Sequence, residues 1–236
     1  MSPGFDILHE DDACLVVAKP GGLLTQAPLG IDSLEVRIKR YLQASNPASG
    51  NIYLGVPHRL DRPASGVIIF AKTRKAAQKI SVQFERRFVE KTYWAIVGGH
   101  VEPTEATWTD HLKKVYGQPR TMVVEPSDPA SQQAVLHYRA LRRLPAATLL
   151  EITLETGRTH QIRVQCSIRG HPLLGDELYG STEPFGPWHD DERERLIALH
   201  ARSLRFRHPT TRDDILAIAP LPATWAETGV MDELGG

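Results

Sequence analysis

The chain of 236 residues has little cysteine and no long apolar segment. Its two cysteines, Cys14 and Cys166, lie far apart and show no CxxC or paired Cys/His spacing, which argues against a disulfide framework and a structural zinc site. No run approaches the roughly 20 apolar residues of a membrane span, and the N-terminus lacks the basic region of a targeting segment. These absences predict a protein of a reducing compartment, which we expect to be the cytoplasm, without a membrane partner.

A net charge is also lacking, because 28 basic residues balance 28 acidic ones. A total of zero disfavours a nucleic-acid partner, but the charges are unevenly distributed. From His58 to Lys91 nine lysines and arginines stand against three acids, whereas acids collect at 6–12 and 176–194. This pattern predicts one basic and one acidic face, and a basic face suits phosphates. The alternative is that the run 74–87 is ordinary solvated helix charge.

The apolar content is sufficient for a full core, since 41% of the residues are hydrophobic. Strand patterns occur at 5–8, 14–18, 67–71, 93–97, 122–125, 134–140, 148–154, 203–207 and 215–218. Because few helices alternate with these strands, the pattern favours an α+β fold with a largely antiparallel curved sheet over a parallel doubly wound sheet.

Three helices are predicted from N-cap residues followed by apolar residues at helical spacing. Ser33 is the cap of a helix that extends to about Ala44. Thr73 is the cap of a helix over 74–88, whose apolar face is expected in the core. Thr159 is the cap of a helix over 160–169, which Gly170 ends.

A single carboxylate lies among arginines just before an apolar strand, in the segment Pro57-His-Arg-Leu-Asp-Arg-Pro-Ala-Ser-Gly66. Asp61 follows Arg59 by two residues and directly precedes Arg62. Opposite charge on both sides should keep this acid ionised even when it is partly desolvated. An anionic carboxylate in a basic loop can act on a polyanion.

Three segments in this chain resemble the RluA-type RNA pseudouridine synthases. They are His58-Arg-Leu-Asp-Arg-Pro-Ala-Ser-Gly66, Lys91-Thr-Tyr-Trp-Ala-Ile-Val97, and Thr156-Gly-Arg-Thr-His-Gln-Ile-Arg163 with Gly170-His-Pro-Leu-Leu-Gly-Asp176. Their order and spacing agree over about residues 5–225. The resemblance implies a pseudouridine synthase fold: one catalytic domain over 1–236, with two lobes that share a mixed, mainly antiparallel sheet flanked by helices and loops. It places the catalytic cleft between these lobes.

The resemblance implies a catalytic role for Asp61, Tyr93 and Arg163. The Asp61 carboxylate would attack the ribose of a target uridine at C1′ or remove a proton from C2′, after which the uracil detaches, rotates and rejoins through C5. Tyr93 would stack on the base and remove the C5 proton; the alternative is a strand tyrosine that faces the core. Arg163 would pair with the catalytic carboxylate and keep it charged.

The resemblance also implies RNA contacts and no cofactor. Arg59 would enter the helical stack that the flipped nucleotide leaves, the alternative being a salt bridge to Asp61. Further RNA contacts are expected from His58, Arg62, Arg158 and His160. The spacing of the histidines does not support a metal site.

The expected partner is a stem-loop of tRNA or rRNA, bound by a monomer. No separate basic RNA-binding module precedes the motifs, so RNA choice is expected to come from the grooves of the catalytic domain. The chain departs from the family pattern at Ala64, where a threonine is usual; the substitution removes one hydroxyl from the loop of Asp61. The alternative function is a catalytically idle RNA-binding protein or RNA folding chaperone on the same fold.

Overall fold

The computed structural model describes residues 3–46 and 50–231. The chain divides into two compact units, Met1–Glu90 with His200–Gly236, and Lys91–Leu199. The helices are α1 (Leu34–Ser45), α2 (Arg74–Glu85) and α3 (Gln161–Ser167). The strands are β1 (Asp6–Glu10), β2 (Cys14–Lys19), β3 (Ser65–Ala71), β4 (Glu90–Gly98), β5 (Glu105–Lys114), β6 (Thr121–Val123), β7 (Gln132–Arg143), β8 (Ala147–Leu154), β9 (Leu199–Arg207) and β10 (Asp214–Ile218). Among the described residues, no helix combines the length and apolar content needed to cross a membrane.

The first unit contains a mixed sheet in the order β1-β2-β3-β9-β10. Strands β1 and β2 form an antiparallel hairpin, and β2 pairs antiparallel with β3. Strand β3 meets β9 in a short parallel pairing, Ser65 with His200 and Gly66 with Ala201, and β10 returns antiparallel along β9. All seven residues of β3 are buried, as expected for a central strand covered on both faces.

The second unit is an antiparallel array in the order β4-β8-β7-β5-β6. Strand β5 was not predicted from the sequence, because its buried and exposed positions do not alternate regularly. In β5 only Trp108 and Leu112 are buried among polar neighbours. The expected α+β class with a mixed, mostly antiparallel sheet is confirmed. The single domain and the shared cleft stay predictions.

The predicted caps of the first two helices are confirmed. The Ser33 hydroxyl accepts the backbone N–H of Val36, and the Thr73 hydroxyl accepts that of Ala76. Helix α2, however, ends at Glu85 and not at residue 88. The physical reason is a left-handed backbone at Arg87, with φ of 58°, which turns the chain out of the helix. Phe88 is consequently exposed and does not join the core.

The prediction for the third helix was wrong at both ends. Helix α3 covers only 161–167, and its N-cap is His160, in a left-handed conformation with φ of 54° and without a side-chain cap. In the loop before the helix, the Arg158 N–H donates to Oε1 of Gln161, which also accepts from Thr156 Oγ1 at 2.7 Å. The Gln161 amide in turn donates to the carbonyl of Val135 at 3.1 Å. Gln161, the first residue of α3, therefore binds the preceding loop and β7, and Thr159 is not the cap.

Gly66 sets the close approach of β3 and β9 directly after the Asp61 loop. Its φ is +118°, and a Cβ at this position would lie 2.3 Å from the carbonyl oxygen of Ala201. Only glycine tolerates both the dihedral and the contact. The start of the central strand, and the loop that leads into it, are thereby held against β9.

Candidate active site

The Asp61 carboxylate lies on a loop that is hydrogen-bonded on both sides of it. The Thr25 hydroxyl accepts the N–H of Leu60 and donates to the carbonyl of the same residue, at 3.2 and 3.0 Å. On the other side, Arg62 exchanges backbone and side-chain hydrogen bonds with Gly22, at 2.8 and 2.9 Å. Asp61 itself is half-buried. A carboxylate between two anchored neighbours has little freedom to move, which is the preorganisation that catalysis requires.

A buried lysine lies next to this loop. Lys19 is 1% exposed, and its ammonium donates to the carbonyls of Leu23 and Pro20 at 2.8 Å and of Arg62 at 3.3 Å. Burial lowers the pKa of Lys19 to about 7, against the opposing effect of the Asp61 charge. Lys19 thus joins the segment 20–23 to the backbone of Arg62. The role of Lys19 was not predicted from the sequence.

The end of the loop is fixed by a histidine from β9. The Nε2 atom of His200 lies 3.2 Å from the carbonyl of Ala219, so this nitrogen carries the proton. The Nδ1 atom then accepts from the Ser65 hydroxyl at 2.9 Å. Ser65 is the first residue of β3, so the hydrogen bond determines where the Asp61 loop joins the sheet.

In the second unit, Tyr93 lies on β4 opposite Ile152 of β8. It is half-buried, whereas Ala95, Ile96 and Val97 further along the strand are fully buried. Tyr93 therefore lies where the strand passes from the surface into the core. A half-buried tyrosine retains an accessible part of its ring for a ligand.

Arg163 on α3 forms a buried, two-pronged ion pair. Its Nε and Nη2 atoms donate to Oδ2 and Oδ1 of Asp176, both at 2.7 Å, and the two side chains are 6% and 1% exposed. The guanidinium carbon also lies 5.0 Å from the ring centre of Tyr179. Asp176 lies in the motif that ends the third family-like segment, but its role as the partner of Arg163 was missed. The pairing of Arg163 with Asp61 stays a prediction.

The family can be assigned by comparison with known proteins. The model of the RNA pseudouridylate synthase family matches residues 13–168. The chain belongs to this family. An uncharacterized RNA pseudouridine synthase of Synechocystis sp. is 35% identical over 222 residues, which cover 92% of this chain and 66% of that protein. The ribosomal large subunit pseudouridine synthase D of Nitrosomonas europaea is 36% identical over 218 residues, which cover 92% and 62%.

Solved structures of the pseudouridylate synthase family share the fold. Human RNA Pseudouridylate Synthase Domain Containing 4 matches with a TM-score of 0.76 at 24% identity, covering 94% of this chain and 91% of that chain. Human RNA Pseudouridylate Synthase Domain Containing 1 matches with a TM-score of 0.70 at 25% identity, covering 94% and 86%. The predicted pseudouridine synthase fold is confirmed, and members of this family are isomerases.

The other side chains for which the family suggested RNA contacts differ in their surroundings. Arg59 is exposed, and both its contact with RNA and the alternative salt bridge to Asp61 stay predictions. His58 is held in place, because its Nε2 accepts the N–H of Ile69 at 3.1 Å and its ring stacks on Phe84 at 4.6 Å. This histidine joins the loop to β3 and α2.

Arg158 and His160 are also hydrogen-bonded within the pseudouridylate synthase domain. Arg158 Nε donates to the carbonyl of Gln133 at 3.0 Å. His160 Nδ1 lies 2.9 Å from the hydroxyl of Tyr179, which also donates to the carbonyl of Thr121 at 3.2 Å. Because a hydroxyl has one proton, the His160 nitrogen donates to it. Contacts of these two side chains with RNA stay predictions.

Four metal-ligating side chains converge elsewhere in the described part of the chain: His9, Asp11, Cys14 and His208. The Nδ1 atom of His208 accepts the backbone N–H groups of Thr210 and Thr211, so the neutral ring carries its proton on Nε2. This Nε2 lies 2.5 Å from Oδ2 of Asp11. Burial raises the pKa of the Asp11 carboxyl, but backbone hydrogen bonds from Cys14 and Ala13, together with His208, lower it on balance. His9 Nε2 lies 3.6 Å from the same carboxylate oxygen, beyond hydrogen-bond distance, so the four groups do not fully satisfy one another.

Proposed function

We propose that this chain is an RNA pseudouridine synthase that isomerises specific uridines in tRNA or rRNA. The observation that carries the proposal is the Asp61 loop, in which a half-buried carboxylate lies between residues anchored to Thr25 and Gly22. A reacting group held in this way avoids the entropy loss of positioning it during the reaction. Family membership supplies the reaction type.

In the proposed reaction, Asp61 acts on the ribose of the target uridine, at C1′ as a nucleophile or at C2′ as a base. The N1–C1′ bond breaks, the uracil rotates and the C5–C1′ bond forms. C5 then loses its proton and N1 gains one, so the product is an isomer of the substrate. No electrons are exchanged with a partner, and the proposal needs neither a metal ion nor a cofactor.

Two further side chains have proposed roles at the nucleoside. Tyr93 would stack on the target base and accept the C5 proton, which its half-buried position on β4 permits. Arg163 would orient the catalytic carboxylate, and its guanidinium is held by Asp176. An arginine with five donors can serve two carboxylates at once.

For the RNA class, rRNA is favoured by the relative named ribosomal large subunit pseudouridine synthase D, although the chain spans 62% of that protein. A cytoplasmic location is consistent with either class of RNA and with two cysteines that form no disulfide. Cys14 and Cys166 are free and buried, and burial raises the pKa of each to about 12. Such thiols stay protonated at neutral pH and are poor nucleophiles and poor metal ligands.

The test is to map pseudouridine across total tRNA and rRNA from cells that lack the gene. The wild-type gene is then returned, or the Asp61→Asn variant, or the control variant Asp12→Asn, which changes an exposed acid in the same unit. We expect one or a few positions to lose pseudouridine and to regain it with wild type and Asp12→Asn only. Unchanged maps in the deletion strain, combined with retained RNA binding, would favour the idle RNA-binding protein instead.

A further inference from the structure

The turn after α2 has an unusual residue at a position that normally takes glycine. Phe88 N–H donates to the carbonyl of Gln83 at 2.9 Å, and Arg87 N–H donates to that of Phe84 at 3.2 Å. These two hydrogen bonds define a Schellman motif, whose left-handed residue is usually glycine. Here it is Arg87, with φ of 58°. Strain of this kind at a surface turn points to a functional constraint.

The residue that follows presents an aromatic ring to solvent. The residue at this place in a Schellman motif commonly packs back onto its helix. Phe88 does not, and is 64% exposed. Arg86 and Arg87, directly before it, are exposed as well. An exposed ring next to guanidinium groups is the combination that proteins use to hold unpaired bases and their phosphates.

A cavity of about 620 Å³ lies beside this ring, bordered by Arg205 and Arg207 of β9. These arginines alternate with buried Phe206, so they project from the same face of the strand. Arg205 lies 3.3 Å from Glu90, and Arg207 lies 3.6 Å from Asp214, in exposed ion pairs. Such pairs are weak, and phosphate can replace the carboxylates.

Helix α2, which precedes Arg86, Arg87 and Phe88, is hydrogen-bonded to the end of β9, which carries Arg205 and Arg207. The Gln83 side chain donates to the carbonyl of Arg207 at 2.8 Å and accepts its N–H at 2.9 Å. Lys79 of the same helix donates to the carbonyl of Pro209 at 2.5 Å. Because α2 holds the end of β9 in this way, the ring and the arginines are already arranged before a ligand binds, which lowers the entropic cost of binding.

We propose that Arg86, Arg87, Phe88, Arg205 and Arg207, the Phe88 surface, bind a single-stranded segment of the RNA. One unpaired base stacks on Phe88, and the arginines bind the phosphates on either side of it. The proposal rests on the proposed function, since that function makes RNA the partner. An excess of guanidinium over carboxylate groups favours a polyanion, and the free ring favours unpaired bases over a duplex, whose bases are already stacked.

The test is fluorescence anisotropy with a labelled single-stranded RNA of 12 nucleotides and mixed sequence, and with an RNA duplex of 12 base pairs. We expect Phe88→Ala to weaken single-strand binding about tenfold and duplex binding less than twofold, because only the single strand offers a base for stacking. Phe88→Trp should retain the affinity. The control is Trp188→Ala, which removes an equally exposed ring from an acidic loop and should change neither affinity.

The arginines are tested through charge. The double variant Arg205→Gln/Arg207→Gln should weaken binding of both probes. It should also reduce the slope of log K against log salt concentration by the amount expected for the loss of about two phosphate contacts. The control, Arg193→Gln, changes an exposed arginine of the second unit and should leave the slope unchanged. Wild-type affinity of Phe88→Ala for the single strand would overturn the Phe88 surface while leaving the proposed function intact, provided that this variant still forms pseudouridine. A wild-type protein that binds neither probe and modifies no RNA would overturn both proposals.

Discussion

Arg163 and Asp176 form a buried ion pair in which two parallel N–H groups meet the two carboxylate oxygens, each at 2.7 Å. Charges removed from water are stable only when they are paired, so each residue depends on the other. The pair also fixes the guanidinium next to Tyr179. Asp176 therefore positions the arginine that the family resemblance assigns to the catalytic carboxylate.

We expect Asp176→Asn to lower the free energy of unfolding by about 3 kcal/mol, because it removes a charged partner of the buried Arg163 guanidinium. Urea denaturation followed by circular dichroism measures this loss. The control is Glu151→Gln, which removes the partner of the exposed Arg139 in the same unit. The control should cost less than about 1 kcal/mol. Equal, small losses in the two variants would show that the buried pair has no special importance.

Gly66→Ala should be strongly destabilising, because the added methyl group would lie 2.3 Å from the carbonyl oxygen of Ala201. Gly30→Ala is the matched control: its φ of +87° is equally unsuited to alanine, but nothing lies within 4 Å of the new methyl group. We expect a loss of about 1 kcal/mol for Gly30→Ala from the dihedral alone. Thermal unfolding should show a clearly larger loss for Gly66→Ala, and a loss no larger than the control would contradict the close approach of β3 and β9.

The buried Lys19 predicts a pH dependence of stability. Its pKa is about 7 in the folded chain and near 10.5 when exposed, so the unfolded chain binds more protons between these values. Stability should therefore rise with pH from 7 toward 10.5 as the cost of burying the charge disappears. Each pH unit contributes at most about 1.4 kcal/mol.

The measurement is urea denaturation at pH 7.0 and pH 9.0 for wild type and Lys19→Met. Only the change with pH is compared, because the variant also loses the hydrogen bonds to Leu23, Pro20 and Arg62. Wild type should gain about 2 kcal/mol relative to the variant over this range. Parallel pH curves would show that Lys19 keeps its ordinary pKa in the folded protein.

Arg59 is an exposed arginine two residues before Asp61, where a ligand can reach its guanidinium. We expect Arg59→Ala to reduce kcat/KM on a folded stem-loop about tenfold, and on a short flexible RNA less than threefold. Only in the stem-loop does the flipped uridine leave a base stack, and the Arg59 guanidinium would replace the stacking that is lost. Arg40→Ala removes another exposed arginine of the same unit and should affect neither substrate. Equal losses on both RNAs would rule out a role in base flipping.

The sequence predicted those parts of the fold that short-range rules determine. Ser33 and Thr73 satisfy N–H groups three residues further along the chain, and a cap of this kind can be recognised in the sequence. The apolar run 67–71 of β3 was also predictable, because no polar residue interrupts it.

The errors arose where distant residues decide the local structure. Gln161, where α3 begins, is held by a hydrogen bond from its amide to the carbonyl of Val135, 26 residues away in the chain. Strand β5 buries only Trp108 and Leu112, so its apolar periodicity was too weak to detect. The partner of Arg163 could have been suspected, since Asp176 is an acid in a family-like motif, but only the fold brings the two side chains together.

The central claim is that the Asp61 carboxylate does chemistry on a bound uridine, and its most direct test separates binding from turnover. The measurement is single-turnover pseudouridine formation on an RNA site identified by mapping, together with the Kd for the same RNA, for wild type, Asp61→Asn and Asp12→Asn. The account predicts that Asp61→Asn binds within about threefold of wild type but forms no pseudouridine, while Asp12→Asn matches wild type in both. Turnover by Asp61→Asn at a rate comparable to that of wild type would contradict it.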